Sequence, residues 1–284
     1  MFTQITKKNI KNLFAIASIA TVSLALANSA NATIVEIKTS LSDESIEVNL
    51  FDTTTPETVK NFLNYVDTNH YTNSVVHRVS PNFVVQAGGY QFTGAWPLTA
   101  LAPNAPVVNE AIYSNVKGTI AMAKKGNGVN SATNQWFFNL ADNSTNLDRQ
   151  NGGFTAFGQV IKGFDIIEKI ALLELCTNGD LQGIPMPMSS TQTCASLTVP
   201  GVENFVVIEQ ITIIDSSEVT DSDLNPLLSK YPDSDGDGVK DIDDAFPSDP
   251  NKTVPDAEDS GGSMTWFAVV MLGLLAVRKR FLKA

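Results

Sequence analysis

Phe83-Val84-Val85-Gln86-Ala87-Gly88-Gly89, followed by Gly118-Thr119-Ile120-Ala121-Met122-Ala123 and Asn134-Gln135-Trp136-Phe137-Phe138, is the stretch on which the fold turns. Each piece is a short apolar run stopped by glycine or asparagine, the length and composition of a strand rather than a helix. Comparable runs at 75–79, 136–140 and 157–161 make residues 75–160 a series of closely spaced strands. That spacing fits a β-barrel or a β-sandwich, and pattern alone does not separate them.

Outward from this centre, Ile34-Val35-Glu36-Ile37-Lys38 and Ile46-Glu47-Val48-Asn49-Leu50 alternate in hydrophobicity around the polar Ser42-Asp43-Glu44, which predicts an antiparallel hairpin. A helix is expected next. Thr55 can cap it, Pro56 suits its first turn, and Val59, Phe62, Leu63 and Val66 repeat at helical spacing. A second amphipathic helix is expected at 164–173, with Phe164, Ile167 and Ile170 on one side, before a closing strand at 205–214. A closed barrel with both ends covered by these helices would bury their apolar faces and leave no sheet edge exposed. Residues 33–214 are long enough for one domain with a full core.

The chain begins with Lys7, Lys8 and Lys11, an apolar run at 13–27 and the small-residue exit Ala30-Asn31-Ala32. This is the layout of a secretory signal peptide over 1–32, cleaved by signal peptidase to leave Thr33 first. At the other end, Gly261-Gly262-Ser263 precedes an apolar stretch at 264–277 and the cluster Arg278, Lys279, Arg280. The stretch is shorter than the roughly 20 residues that span a bilayer comfortably, and its basic end is expected on the cytoplasmic side. Residues 261–284 resemble the GlyGly C-terminal sorting signals of bacterial surface proteins, which implies a membrane-inserted tail removed by a rhomboid-type protease. A permanent single-span anchor is the alternative. The expected location is the periplasm or the cell surface, with release after tail cleavage.

The formal charge is −11, concentrated in an acidic stretch at 215–259, which argues against nucleic acid as a partner. The two cysteines, Cys176 and Cys194, both fall in the exported part, where an even pair reads as a disulfide. With His70 and His77 the only histidines, neither a cysteine–histidine zinc site nor a thiol nucleophile is expected.

His77-Arg78-Val79, the three segments quoted first, Leu147-Asp148 and Phe157-Gly158 occur in one order. In that order the chain resembles the cyclophilin family over residues 33–214, particularly its bacterial periplasmic members. The resemblance implies an eight-stranded antiparallel barrel capped by two helices. It also implies peptidyl-prolyl cis-trans isomerase activity on proline-containing polypeptides, without a cofactor for catalysis. Rotation about the bond preceding proline is slow because amide resonance must be broken. In the half-rotated state the prolyl nitrogen regains a lone pair. A fixed donor aimed at it therefore stabilises the transition state more than either planar form. Arginine suits that work, being planar, always charged and never an acceptor.

The resemblance assigns the nitrogen contact to Arg78 and its orientation to Gln86. It places the proline ring among Phe83, Met122, Phe137 and Leu147, and the preceding residues along Ala123 and Gln135. Read without it, the four apolar residues fit an ordinary core, Arg78 fits a structural ion pair as well as a site role, and satisfying buried backbone groups is the alternative for Gln86. His77 is expected to be structural, because isomerisation transfers no proton. Three positions depart from the family: Asn146 where many members carry an aromatic rim residue, Phe154 where eukaryotic members usually carry histidine, and Val84 for a common methionine. Weak cyclosporin binding is the expected consequence. A binding or chaperone module without catalysis is the rival reading, and a calcium-dependent surface protein with the barrel as spacer is a third.

Within the acidic linker at 215–260, residues 233–244 place carboxylates at loop positions 1, 3, 5, 9 and 12 with glycine at 6. That is the register of a calcium loop. Pro232 and Pro247 argue against EF-hand helices, and the run resembles a thrombospondin type 3 repeat. The resemblance implies Ca2+ ligands at Asp233, Asp235, Asp237, the Val239 carbonyl, Asp241 and Asp244. A solvated acidic linker is the plain alternative.

Overall fold

The computed structural model describes residues 33–126, 128–217, 224–231, 237, 239, 244–246 and 249–253. The expected signal peptide, the C-terminal tail, and Asp233, Asp235 and Asp241 of the acidic loop lie outside these residues. Strands β1 (Ile34–Thr39) and β2 (Ser42–Leu50) form the expected hairpin, and Thr39 faces Ser42 in its register. The turn therefore comes before Ser42, not at 42–44. The polar triplet belongs to the start of a strand that is mostly exposed there, and an exposed strand end has the composition of a turn.

Helix α1 (Pro56–Asp67) buries Val59, Phe62, Tyr65 and Val66. Thr55 stands at its N-cap, but its hydroxyl donates back to the Phe51 carbonyl at 3.0 Å. The first helical N–H groups, those of Glu57 and Thr58, donate instead to the Glu110 carboxylate at 3.2 and 2.9 Å. A carboxylate from a distant loop thus does what the threonine was expected to do.

The next strands are short: β3 (Ser74–Val75), β4 (Arg78–Ser80), β5 (Val84–Ala87), β6 (Tyr90–Gln91) and β7 (Thr99–Ala100). They are followed by β8 (Thr119–Met122), β9 (Trp136–Asn139), the one-turn helix α2 (Ser144–Leu147) and β10 (Ala156–Lys162). Helix α3 (Phe164–Ala171) buries Ile166, Ile167 and Ile170. It stops short of 173, and Leu172 is 85% exposed. A hairpin of β11 (Glu174–Asn178) and β12 (Leu181–Met186) precedes β13 (Val207–Asp215).

Among the described residues the main sheet is antiparallel and runs β4-β5-β9-β8-β10-β2-β1-β13-β3-β6-β7, eleven strands against an expected eight. Strands β3 and β4 belong to one continuous segment, residues 74–80. Its first half pairs with β13 and its second half with β5. Between them Val76 N–H donates to Val206 O at 2.9 Å and His77 N–H to Gln86 O at 3.1 Å. The sheet is therefore curled, and its interior holds Phe62, Ile120, Met122, Trp136 and Phe157, all essentially without solvent contact. Each such side chain stabilises by about 2 kcal/mol relative to exposure.

Cys176 and Cys194 are joined as a disulfide with Cα atoms 5.4 Å apart, tying the β11–β12 hairpin to the chain that follows it. Among the described residues no helix is long and apolar enough to cross a membrane.

Candidate active site

Strand alternation builds the site. Across β4, β5, β9 and β8, the facing residues Val79, Val85, Phe138 and Ile120 point to the interior. The alternate row is Arg78, Gln86, Phe137 and Ala121, continued by Ala156 on β10. Cross-strand neighbours on one face touch. The outer face thus changes from cation to amide to aromatic ring to methyl groups.

A wall stands beside this row. Asn143 donates through Nδ2 to the Phe83 carbonyl at 2.9 Å and to Asn139 Oδ1 at 2.7 Å. From that anchor α2 carries Leu147 inward, and the Phe154 N–H returns to the Leu147 carbonyl at 2.8 Å. The space between wall and row is a cavity of about 310 Å3. Phe83, Val84, Phe137, Leu147 and Phe154 supply its apolar surface, Arg78 and Gln86 one polar edge, and Ala123 and Lys124 another. The exposed Asn146 and Gln150 stand at its mouth. This size and this mixture suit a small apolar group held beside a few polar ones.

Met122 is not part of that surface. It faces Trp136 across the ladder, has no solvent exposure and belongs to the interior, because alternation sends Ala121 outward and Met122 inward. The expectation that Met122 contacts the proline ring is corrected, and Val84 lines the cavity instead. Gln135, expected along the groove for the residues before proline, lies outside that cavity. It lines a second cavity of about 290 Å3 on the other side of Arg78 and Gln86, with His77, Tyr90 and the hairpin tip Asp180, Leu181 and Gln182. A larger cavity, about 630 Å3, runs along α1 past Asp52, Lys60 and Asn104 and contains none of the predicted site residues. Residue chemistry, not volume, selects the one at Arg78.

Gln86 joins the two cavities. Its Oε1 accepts from Arg78 Nη1 at 3.4 Å, and its Nε2 donates to Gln135 Oε1 at 2.8 Å. Arg78 is half-buried, and no ion pair among the described residues includes it. Its guanidinium borders both cavities, the second of which also contains Asp180. Burial pulls the pKa of the adjacent His77 down to about 4, with the Arg78 charge acting the same way against bonds to Val75 and Gln135. The imidazole is neutral at physiological pH. The backbone after β5 turns at Gly88, φ +87°, where a Cβ would collide with the Asn134 carbonyl, and a Cβ at Gly89 would lie 2.6 Å from the Gln135 side chain; the glycine pair lets that strand end approach 134–135.

Sequence reasoning did not single out Lys124 or Gln150. Lys124 hydrogen-bonds Asn109 and the carbonyls of Asn151 and Gly153, and its ammonium lies 5.0 Å from the Phe154 ring centre. Its place just past the β8 run, next to Ala123, was the available signal. Gln150 sits in an irregular wall with no periodicity to read.

The family model for cyclophilin type peptidyl-prolyl cis-trans isomerase/CLD matches residues 34–189. A peptidyl-prolyl cis-trans isomerase of Acinetobacter baylyi is 43% identical over 164 residues, covering 57% of this chain and 81% of that protein. Peptidyl-prolyl cis-trans isomerase A of Dickeya dadantii is 39% identical, covering 50% and 73%. Peptidyl-prolyl cis-trans isomerase B of Escherichia coli is 36% identical, covering 49% and 86%. With the curled sheet and the arginine-edged apolar cavity, these matches place the chain in the cyclophilin family of peptidyl-prolyl cis-trans isomerases.

Proposed function

We propose that the chain accelerates cis–trans rotation of the peptide bond preceding proline in exported polypeptides. The observation that carries this reading is Arg78, a cation with no ion-pair partner among the described residues, two ladder steps from Phe137 at the edge of a largely apolar cavity of about 310 Å3. Phe83, Phe137 and Leu147 hold the pyrrolidine ring. Gln86 holds the guanidinium through one of its nitrogens, leaving other N–H groups of its five to meet the prolyl nitrogen as the amide loses planarity. No bond is made and no proton is transferred. Catalysis is the difference between how this donor meets the twisted and the planar amide. A protease-coupled assay on a proline tetrapeptide tests it: the chain must shorten the cis–trans relaxation, and a relaxation equal to the uncatalysed one rejects the reading.

Export rests on the signal-peptide pattern at 1–32 and is supported by the disulfide, which is a feature of oxidising compartments. Thr33 supports cleavage after Ala32. It is buried, and its backbone nitrogen and hydroxyl both donate to Asp52 at 2.8 Å, so an α-ammonium formed there would meet a carboxylate. The tail at 261–284 then holds the protein at the membrane until sorting.

The acidic loop is read as a Ca2+ site. Asp244 is buried, and its Oδ2 has no hydrogen-bond partner among the described residues, the condition of a carboxylate oxygen suited to a cation. Asp237, the Val239 carbonyl and Asp244 would act with Asp233, Asp235 and Asp241. Calorimetry with Ca2+ on the mature chain and on Asp244→Asn tests this; the absence of binding heat rejects it.

A further inference from the structure

The chain beyond β13 returns to the domain. Ser114 N–H donates to Leu227 O at 2.8 Å, Ser229 N–H donates to Ile112 O at 2.8 Å, and the Ser114 hydroxyl donates to Leu228 O at 3.2 Å. Tyr113 and Leu228 thereby pair as an antiparallel bridge. Three residues past Leu228, the Tyr231 ring lies under the Arg149 guanidinium, 4.8 Å from ring centre to Cζ. Residues 227–231 so grip the domain at two points. Both are next to the wall of the proline cavity.

The first grip reaches the wall through one buried residue. Tyr113 packs against the cavity's own apolar cluster and lies edge-on to Phe51. Asn115 has no solvent exposure and holds both ends of the wall. Its N–H and Nδ2 donate to Asp148 Oδ1 at 2.8 and 3.0 Å, and its Nδ2 also donates to Phe154 O at 2.8 Å. Its carbonyl accepts from Asn143 N–H at 2.9 Å. Leu147 lies between Asn143 and Asp148. The second grip, at Arg149, falls two residues past Leu147 and one before Gln150. The backbone at 112–116 has no regular ladder of its own, so the returning strap supplies its partners.

We infer that residues 227–231 are a positioning element of the active site, with Tyr231 and Arg149 fixing the wall that carries Leu147 against the proline ring. The inference goes beyond the isomerase reading. A cavity wall held from outside closes on a ring with less ordering cost than a loose one, so the strap acts on substrate binding and leaves the Arg78 step alone.

The test uses the full mature chain with Tyr231→Ala, Arg149→Ala, the double variant and Tyr231→Phe. Loss of the cation–ring contact is expected to raise KM for a proline peptide about fivefold with kcat within about twofold. The double variant should match either single one, because both act through one contact. Tyr231→Phe keeps the ring and should behave as the parent. Amide exchange gives a readout independent of turnover: in Tyr231→Ala the Asn143 and Phe154 amides should exchange about tenfold faster while Ile120 in the sheet is unchanged. Unchanged exchange at Asn143 and Phe154 overturns the strap. If the parent chain shows no isomerisation, the functional reading fails alone, and the exchange result still decides this one.

Discussion

Arg78 and Gln86 are directly opposed across the β4–β5 ladder, and a single 3.4 Å hydrogen bond from Nη1 to Oε1 joins their side chains. The bond is long and uses one of five donors, so it orients the guanidinium without occupying it. Arg78→Ala is expected to lower kcat/KM about 100-fold or more, the scale for removing a donor aimed at a transition state. Arg78→Lys should recover less than a tenth of the loss, because a point charge lacks the planar fork. Gln86→Ala should cost about tenfold by letting the arginine wander. Both residues are half-buried at a cavity edge, so melting temperatures should stay within a few degrees of the parent. A variant without Arg78 that retains full rate in the protease-coupled assay would refute the mechanism.

His77 should make stability depend on pH while leaving catalysis flat. Burial lowers its pKa from 6.5 to about 4 in the folded chain, so between those values the unfolded chain binds the extra proton. Stability contributed by the neutral imidazole is complete above pH 6.5 and is lost as the pH falls towards 4, by about 3 kcal/mol in all. Burial lowers the His70 pKa too and acts in the same direction. Urea unfolding at pH 4.5 and 7.5 should show the loss, and His77→Gln should shrink it. Turnover between pH 6 and 8 should not vary, since His77 keeps one charge state there and the reaction moves no proton. A bell-shaped rate profile in that range would contradict the assignment.

The disulfide closes a loop between residues 18 apart, for which chain entropy predicts about 3 kcal/mol of stabilisation. Its hairpin also packs against β4: a Cβ at Gly183 would lie 2.5 Å from the Val79 carbonyl, one residue from Arg78. Cys176→Ser with Cys194→Ser should therefore lower the denaturant midpoint by a corresponding amount. Residual activity should persist, because the proline cavity draws nothing from the hairpin. Coincident unfolding curves with and without reductant would remove the stabilising role.

Most of the site residues could be named from the family resemblance, and strand alternation is what brings them onto one face. On β5 and β9 the two-residue period sends Gln86 and Phe137 to one face and Val85 and Phe138 to the other. On β8 the same period sends Met122 inward, against what the resemblance implies, and Ala121 to the outer row. What could not be read belongs to irregular backbone. The wall at 143–154 is held by Asn143, Asn115 and Asp148 through side-chain-to-backbone bonds, which leave no periodic trace. The β11–β12 hairpin is interrupted by Gly183 and Pro185, and strand signals weaken at both. The strap at 227–231 makes its contacts through backbone groups and one ring, in a segment whose acidity reads as linker.

Asn146 offers a gain-of-binding test of the cavity's mouth. It is exposed, beside Leu147 and above the apolar surface formed by Phe83, Phe137 and Phe154. The resemblance implies an aromatic rim residue at this position in many members, and the amide this chain carries offers little apolar area while holding water. Asn146→Trp adds a flat apolar surface that a large cyclic peptide would cover. Burying about 60 Å2 of it would be worth about 1.5 kcal/mol, or about tenfold in affinity. Fluorescence titration with cyclosporin should show weak binding to the parent and at least that gain in the variant. Turnover of a short proline peptide should move less than about threefold, because Arg78, Gln86 and the ring-holding residues are untouched. Tight binding to the parent chain would mean that the mouth is closed by a residue other than the one at 146, with Phe154 and Lys124, 5.0 Å apart at the opposite edge, the next pair to substitute.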